Sequence, residues 1–230
     1  MIDSRRVSES QRTGEPVRIL IVDDHPLVRE GIVARLTAQT DFVVCGEAAN
    51  VDDALQLART TQPALMIVDL ALQRGESGLD VIRAITKADR LHPKILVVSA
   101  YEGSQFAERA LRAGAHGYIN KQELQGSMIE AIRAVLRGDV YLSADLTQHF
   151  LVRARSGRDA AVGEEALTDR ELQVFEFIGR GKSTRAIAAP LGLSVHTIES
   201  HREKIRIKLN LRNGTELIQR ATRWTLENGY

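Results

Sequence analysis

The sequence has little of several residue types, and each scarcity excludes a class of protein. Cys45 is the single cysteine in 230 residues, so no internal disulfide can form and a disulfide-stapled scaffold is excluded. No run approaches the roughly 18 consecutive apolar residues that cross a bilayer, so we expect a soluble chain with no membrane partner. Residues 1–16 lack an apolar centre, which excludes a secretory signal and predicts a disordered leader. These features predict a cytoplasmic location.

A strong excess of either charge is also absent. The chain carries 31 basic and 30 acidic side chains, a formal net charge of +1. This total hides an asymmetry, because residues 17–140 hold 14 Lys and Arg against 16 Asp and Glu, whereas residues 167–230 hold 11 against 7. The C-terminal segment is therefore the basic one, and its sign is the one expected of a segment that meets phosphates.

Five short apolar runs, each followed by a segment with helical periodicity, organise the first 140 residues. The runs are Arg18–Val22, Phe42–Cys45, Leu65–Val68, Ile95–Val98 and His116–Ile119. Runs that are apolar at nearly every residue suit strands buried on both faces, as in a parallel sheet covered by helices. They predict a flavodoxin-like, doubly wound, five-stranded α/β domain over residues 17–140. The predicted helices are Pro26–Gln39, Val51–Thr60, Leu79–Ala88, Ser104–Ala113 and Glu123–Arg137.

The rest of the chain predicts a linker followed by an all-helical domain. Residues 141–166 contain a short predicted helix, Ala144–Val152, and then a polar, glycine-bearing stretch that is typical of a linker. Residues 167–230 have the apolar spacing of four short helices throughout. The N-cap candidates of these helices are Thr168, Ser183, Ser194 and Asn213.

Acidic and polar side chains stand where the predicted strands end, which is where open parallel sheets bind ligands. Strand one ends at Asp23 and Asp24, strand three at Asp69, strand four at Ser99, and strand five leads to Lys121. In the order 2-1-3-4-5 strands one and three are neighbours, so the three carboxylates should meet. Clustered carboxylates repel one another unless a hard cation lies among them, which predicts a Mg²⁺ site. Asp69 can then accept a phosphoryl group covalently, while Lys121 and Ser99 stabilise its oxygens.

The residues after strand one also resemble a known family. Receivers of the NarL/FixJ type open in a similar way to Val22-Asp23-Asp24-His25-Pro26-Leu27-Val28-Arg29-Glu30-Gly31. The separations of 30 residues from Asp69 to Ser99 and 22 from Ser99 to Lys121 resemble receiver separations as well. The resemblance covers about Val17 to Arg137. We expect a structural or capping role for His25.

This resemblance implies roles for individual residues. A sensor histidine kinase would phosphorylate Asp69, and Tyr118 would be the aromatic switch partner of Ser99. Asp24 would bind Mg²⁺ directly, and Asp23 would help to place it. The implied Mg²⁺ ligands are the side chains of Asp23, Asp24 and Asp69 and the backbone carbonyl of Ala71.

An alternative function is that of a phosphohydrolase, and Ala71 argues against it. Phosphohydrolases that pass through an aspartyl phosphate need a second acid two residues after the nucleophile, and Ala71 occupies that position. Because this acid-base partner is missing, the sequence favours a switch whose phosphoryl group turns over slowly over an efficient phosphatase.

The sequence departs from the receiver pattern in two places. The loop Asp69–Gly78 lacks the usual proline and is one residue longer, and Asn120 replaces a commoner apolar residue.

The segment from Leu167 to Trp224 resembles the LuxR-type tetrahelical helix-turn-helix. Its matching runs are Leu167-Thr168-Asp169-Arg170-Glu171-Leu172, Gly181-Lys182-Ser183-Thr184 and Thr197-Ile198-Glu199-Ser200-His201-Arg202. Independently of the resemblance, Gly192 separates two short helices, and Ser194 caps the second. Because proline has no N–H, Pro190 predicts the end of the first. The second helix should enter the major groove of DNA with its N-terminal half nearest the bases.

A helical projection at about 100° per residue divides this second helix into two faces. Ile198, Arg202, Ile205 and Leu209 lie on the core side, and the opposite face holds His196, Ser200, Glu203 and Ile207, flanked by Glu199 and Lys204. Lys182, Thr184, Thr197, Lys204 and Arg206 are candidate phosphate contacts. The full predicted DNA-binding set is Lys182, Thr184, His196, Thr197, Glu199, Ser200, Glu203, Lys204 and Arg206.

Together these features predict a two-component response regulator. Phosphorylation would control a homodimer that binds double-stranded promoter DNA, with a sensor histidine kinase as partner and Mg²⁺ as cofactor. One alternative is a DNA regulator that responds to an effector or acts without phosphorylation. Another is a phosphorelay protein without DNA function, which would leave the four-helix segment unexplained.

Overall fold

The computed structural model of the chain describes residues 14–72, 76–88, 91–100, 104–156 and 163–227. Most of the predicted leader and residues 157–162 of the predicted linker lie outside these ranges. The described residues form an α/β unit followed by a helical unit, as the sequence predicts. Within these ranges, no helix combines the length and the apolar character that crossing a bilayer requires.

Among the described residues, six parallel strands form the sheet of the α/β unit. They are β1 Val17–Val22, β2 Phe42–Ala48, β3 Leu65–Val68, β4 Lys94–Ser99, β5 Gly117–Asn120 and β6 Tyr141–Leu142. Their order is β2-β1-β3-β4-β5-β6, which confirms the predicted flavodoxin-like order. The predicted count of five is corrected by β6, which pairs with Gly117 and Tyr118 of β5. Two residues are too few for a pattern of alternation to reveal a strand.

Five helices in the described part of the chain cover the two faces of this sheet. They are α1 Pro26–Thr37, α2 Val51–Thr61, α3 Gly78–Thr86, α4 Ser104–Ala113 and α5 Leu124–Arg137. Successive side chains of a strand point to opposite faces of the sheet, so each apolar run contributes residues to two hydrophobic cores, one on each face. Leu20 and Met66 belong to one core, whereas Ile19 and Ile67 belong to the other. The sheet is therefore covered on both sides, which is why its strands are apolar at almost every position.

The helical unit follows α6, which spans Ala144–Ser156. Its helices are α7 Asp169–Gly179, α8 Thr184–Ala188, α9 Val195–Lys208 and α10 Gly214–Glu227. All four predicted N-caps are confirmed: Thr168 forms a capping box with Glu171, and the side chains of Ser183, Ser194 and Asn213 each accept from a backbone N–H three residues on. The regular part of α8 ends two residues before Pro190, as predicted.

Close packing of α7 against α10 forms the centre of this unit. The ring centroids of Phe175 and Trp224 lie 5.6 Å apart with the rings inclined at 61°. Gly179 allows the helices to approach, because a Cβ there would lie 1.9 Å from Thr225 Oγ1 and 2.5 Å from the carbonyl oxygen of Ala221. Lys208 of α9 pairs with Glu171 of α7, so the helix-turn-helix formed by α8 and α9 is joined to this packed pair.

Candidate functional site

Three aspartates meet at the carboxyl ends of β1 and β3. Asp23 and Asp24 follow β1, and Asp69 follows β3, which is the hydrogen-bonded neighbour of β1. The exposed fractions of the three residues are 2%, 9% and 1%. One ligand atom from each of them and one from His25 all lie within 4.8 Å of one another. The structure thus brings together the three carboxylates that the strand order predicts.

Lys121 reaches this cluster from the end of β5. Its Nζ lies 2.6 Å from Asp69 Oδ2 and 2.7 Å from Asp23 Oδ2. The residue opens a short 3-10 helix, Lys121–Glu123, directly after β5. Asn120 caps that helix, since its side chain accepts from the backbone N–H of Gln122. The polar residue that departs from the receiver pattern therefore has a structural role beside the site.

Negative charge is in excess in this pocket, where three carboxylates face the Lys121 ammonium. Burial raises the pKa of Asp69 to about 7, with Asp23 acting in the same direction and Lys121 against it. Burial also disfavours the charge of Lys121, but Asp69 and Asp23 outweigh that effect and raise its pKa above the ordinary value. A buried carboxylate that is not fully compensated needs either a proton or a cation.

The residues of the pocket fit a hard divalent cation. The side chain of Asp24 is 4% exposed, and among the described residues its Oδ2 has no hydrogen-bond partner. Carboxylate oxygens are the donors that Mg²⁺ prefers. His25 is the N-cap residue of α1, and its backbone carbonyl accepts from the N–H groups of Val28 and Arg29, but its side chain forms no cap hydrogen bond. Its Nδ1 instead lies 2.8 Å from Asp24 Oδ1.

Ser99 and Tyr118 occupy the adjacent strands β4 and β5. Ser99 is fully buried and Tyr118 is 1% exposed. In the parallel register Ser99 stands opposite Asn120, two residues beyond Tyr118. The hydroxyl predicted to contact a phosphoryl group and the predicted aromatic partner are therefore neighbours at the same end of the sheet.

The loop after Asp69 is drawn tightly against the site. The backbone N–H of Ala71 donates to Asp69 Oδ1 at 3.1 Å, and Ala71 forms a bridge to Ser77. A Cβ at Gly78 would lie 2.0 Å from the carbonyl oxygen of Asp69, so glycine is required for this approach. Residues 73–75 of this loop, which is predicted to be one residue longer than usual, lie outside the described ranges.

A second candidate site is the exposed face of α9. Ile198 and Ile205 are fully buried, while His196, Glu203 and Lys204 are exposed, as the helical projection predicts. This face continues onto the start of α8, because Glu199 Oε1 accepts from Thr184 Oγ1 at 2.6 Å. That hydrogen bond fixes the two helices of the motif relative to each other.

Glu203 and Arg206 form an ion pair on this face. Both carboxylate oxygens of Glu203 accept from Arg206, and this hydrogen bonding lowers the pKa of Glu203. The guanidinium of Arg206 also donates to the backbone carbonyls of Leu211 and Arg212. Arg206 therefore anchors the turn after α9, a role that the sequence pattern did not suggest.

Family models match both parts of the chain. The response regulator receiver domain matches residues 19–133, and the luxR family of bacterial regulatory proteins matches residues 165–221. Oxygen regulatory protein NreC of Staphylococcus carnosus is 35% identical over 89% of this chain and 96% of its own length. Transcriptional regulatory protein LiaR of Bacillus subtilis is 31% identical over 92% of this chain and 100% of its own. The chain belongs to the NarL/FixJ-type response regulators.

Solved structures agree with this assignment. A LuxR-family two-component response regulator from Aurantimonas sp. SI85-9A1 is 35% identical, with a TM-score of 0.57 over 61% of this chain and 99% of that one. RcsB of Salmonella typhimurium, 21% identical, shares the fold with a TM-score of 0.61 over 91% of this chain and 98% of its own. This two-component response regulator joins a receiver to a LuxR-type DNA-binding unit and regulates transcription.

Proposed function

We propose that Mg²⁺-dependent phosphorylation of Asp69 controls dimerisation of this response regulator and its binding to promoter DNA. The buried acidic cluster carries the proposal, since its excess negative charge suits a divalent cation. The side chains of Asp23, Asp24 and Asp69, with the backbone carbonyl of Ala71, would hold Mg²⁺. When bound, the cation supplies positive charge that stabilises phosphoryl oxygens.

Asp69 is the proposed phosphoryl acceptor because it lies between the acid pair of β1 and the Lys121 ammonium. A carboxylate oxygen of Asp69 forms the bond to phosphorus while the donor's leaving group departs, and a sensor histidine kinase is the proposed donor. Lys121, 2.6 Å from Asp69, would then neutralise a phosphoryl oxygen, and Ser99 would donate its hydroxyl to another. Ala71 supplies no acid for hydrolysis, so the modified state persists as a signal.

The helical unit is the proposed output. Two RcsB dimers occupy two parallel DNAs in a structure that resembles this chain with a TM-score of 0.56. We propose that residues 167–230 act in the same way, with the N-terminal half of α9 in the major groove and a homodimer on paired half-sites. The receiver would span residues 17–140 together with β6, and residues between them would form the connection. Phosphate contacts by Lys182, Thr197 and Lys204 should make binding fall steeply with salt.

Labelling with acetyl phosphate in Mg²⁺ tests this function in the full-length chain. We expect Asp69 to carry the phosphoryl group, and EDTA to prevent labelling. Asp69→Ala should remain unlabelled, while Asp52→Ala, which removes an exposed acid from α2, should label like wild type. Labelled wild type should sediment as a dimer and bind duplex DNA more tightly. Equal labelling of Asp69→Ala, or a labelled chain with unchanged sedimentation and affinity, contradicts the proposal.

A further inference from the structure

A carboxylate from the loop after Asp69 reaches the start of α2. Glu76 Oε2 accepts from the backbone N–H of Val51 at 2.9 Å, although the two residues lie 25 positions apart in the chain. Val51 is the first residue of α2, and the N–H groups of a first helical turn have no partner within their own helix. The helix macrodipole also favours a negative charge at this end. The Glu76 side chain therefore fastens the loop to α2.

The two limbs of the loop are joined to each other next to Glu76. Ser77 forms an antiparallel bridge with Ala71, and the backbone N–H of Gly78 donates to the carbonyl of Leu70 at 3.1 Å. Leu70 is fully buried, so the core holds the outgoing limb. A shift of Glu76 would therefore act on Ala71 through one peptide unit and one bridge, both of which lie within the described residues.

Ala71 is the loop residue that contacts the phosphorylation site. Its backbone N–H donates to Asp69 Oδ1 at 3.1 Å, while Lys121 Nζ lies 2.6 Å from Asp69 Oδ2. These two contacts together orient the Asp69 carboxylate. The backbone carbonyl of Ala71 is also a proposed ligand of Mg²⁺, a cation that demands near-ideal octahedral geometry. A displaced Ala71 would thus alter both the phosphoryl acceptor and the metal site.

The composition of the loop explains why it needs an anchor on its returning limb. Asp69–Gly78 contains two glycines and no proline. Glycine loses more backbone freedom on ordering than any other residue, whereas proline would restrict the chain in advance. A hydrogen bond from the returning limb to a helix offsets part of this entropic cost.

We propose that Glu76 is a positioning residue for the phosphorylation site. By binding the start of α2, it holds Ala71 where the Ala71 carbonyl can bind Mg²⁺ and the Ala71 N–H can orient Asp69. This inference rests on the proposed function, because it takes the Mg²⁺ site as given. The role depends on an acceptor oxygen at the end of the Glu76 side chain and not on its charge, since the donor is the neutral N–H of Val51.

A Mg²⁺ titration of the full-length chain, followed by the backbone amide shifts of Asp69 and Ala71, measures this role. Glu76→Ala removes the acceptor, and we expect it to weaken Mg²⁺ binding about tenfold, the lower end of the usual range for groups that orient metal ligands. Hydrogen exchange at the Ala71 N–H should also be faster in this variant when no Mg²⁺ is added. Glu76→Gln keeps an acceptor oxygen without the charge and should match wild type in both measurements.

Asn50→Ala is the matched control. The side chain of Asn50 accepts from the N–H of Asp53, so this variant removes another acceptor from the first turn of α2 and leaves the Glu76 hydrogen bond in place. It should bind Mg²⁺ like wild type. A loss as large as that of Glu76→Ala would assign the effect to the stability of α2, and an equally large loss in Glu76→Gln would assign it to charge. Either result refutes the positioning role.

Val51→Pro tests the same contact from the donor side, in case Glu76→Ala does not fold. Proline has no N–H and is favoured at the first position of a helix, and Asn50 before it has the extended backbone that proline requires, with φ −150° and ψ 172°. This variant should reproduce the loss of Mg²⁺ affinity with Glu76 unchanged. If wild type binds Mg²⁺ and Val51→Pro binds it as tightly, the positioning role is refuted and the proposed function stands. If wild type does not bind Mg²⁺, the proposed function itself fails.

Discussion

At the scale of single residues, Glu171 combines capping with a contact between helices. Its Oε2 accepts from the backbone N–H of Thr168 at 2.7 Å and from Lys208 Nζ of α9 at 2.6 Å. Burial acts to raise its pKa, but these hydrogen bonds outweigh burial, and the pKa lies below the ordinary value of 4.5. One carboxylate therefore fixes the start of α7 and ties α9 to it.

This contact predicts a stability that depends on pH. Because the folded-state pKa of Glu171 is depressed, its contribution is present above pH 4.5 and is lost as pH falls through the folded value. Glu171→Gln should lower the free energy of unfolding of the helical unit by about 1–2 kcal/mol at neutral pH. Urea titrations should show this difference shrinking in acid. The control is Glu216→Gln, which alters a partly exposed side chain that accepts from the backbone N–H of Arg212 before α10. A Glu171→Gln deficit that is unchanged in acid argues against the contact.

Glu203 is the second residue with a testable role. A carboxylate aimed into the major groove can accept from the amino group of cytosine, but both oxygens of Glu203 are held by Arg206. We therefore expect Glu203→Ala to keep the preferred DNA sequence and to bind all sequences more tightly, because a negative charge near phosphates is removed. Binding-site selection with both proteins checks this. Loss of discrimination at a single base pair would show that Glu203 reads a base.

At the scale of elements, the sequence patterns predicted most of the fold. The bounds of α4 are as predicted, and the strands differ by at most three residues at either end. Asp23, Asp24, Asp69 and Lys121 could be predicted to converge because strand order brings strand ends together. The hydrogen bond from Val51 to Glu76 could not, since periodicity carries no information on contacts between residues 25 positions apart. The side-chain contacts of Arg206 were equally hidden, because they depend on the conformation of the turn after α9.

The contact between α7 and α10 gives a prediction for an element pair. Gly179→Ala places a methyl group against Thr225 and the backbone of Ala221, and overpacking of this kind costs about 1–3 kcal/mol. Gly214→Ala is the matched control, since nothing lies within 4 Å of a Cβ at that helical position. It should be neutral or stabilise the unit by up to about 1 kcal/mol. Thermal unfolding of the two variants checks the difference, and equal midpoints would exclude the close approach.

At the scale of the whole molecule, we propose that the DNA-binding unit begins before the first residue of α7 and includes Glu164. Sequence patterns place its start at Leu167, but Glu164 is 1% exposed and its carboxylate pairs with Arg220. A fragment of residues 163–230 should therefore be more stable than one of residues 167–230 by about 1 kcal/mol, a value kept low because the arginine is partly exposed. Glu164→Gln in the longer fragment should remove most of the gain. Identical unfolding midpoints of the two fragments would place the boundary at Leu167 after all.

Gly78 carries a consequence for how this protein tolerates change. Every other amino acid would place a carbon 2.0 Å from the carbonyl oxygen of Asp69, well inside any van der Waals contact. The residue has no functional group, yet a random mutagenesis screen for lost signalling should return substitutions at position 78 as often as those at position 69. The backbone of Asp69 therefore limits which residues position 78 can accept. A library designed to diversify the loop should keep Gly78 unchanged.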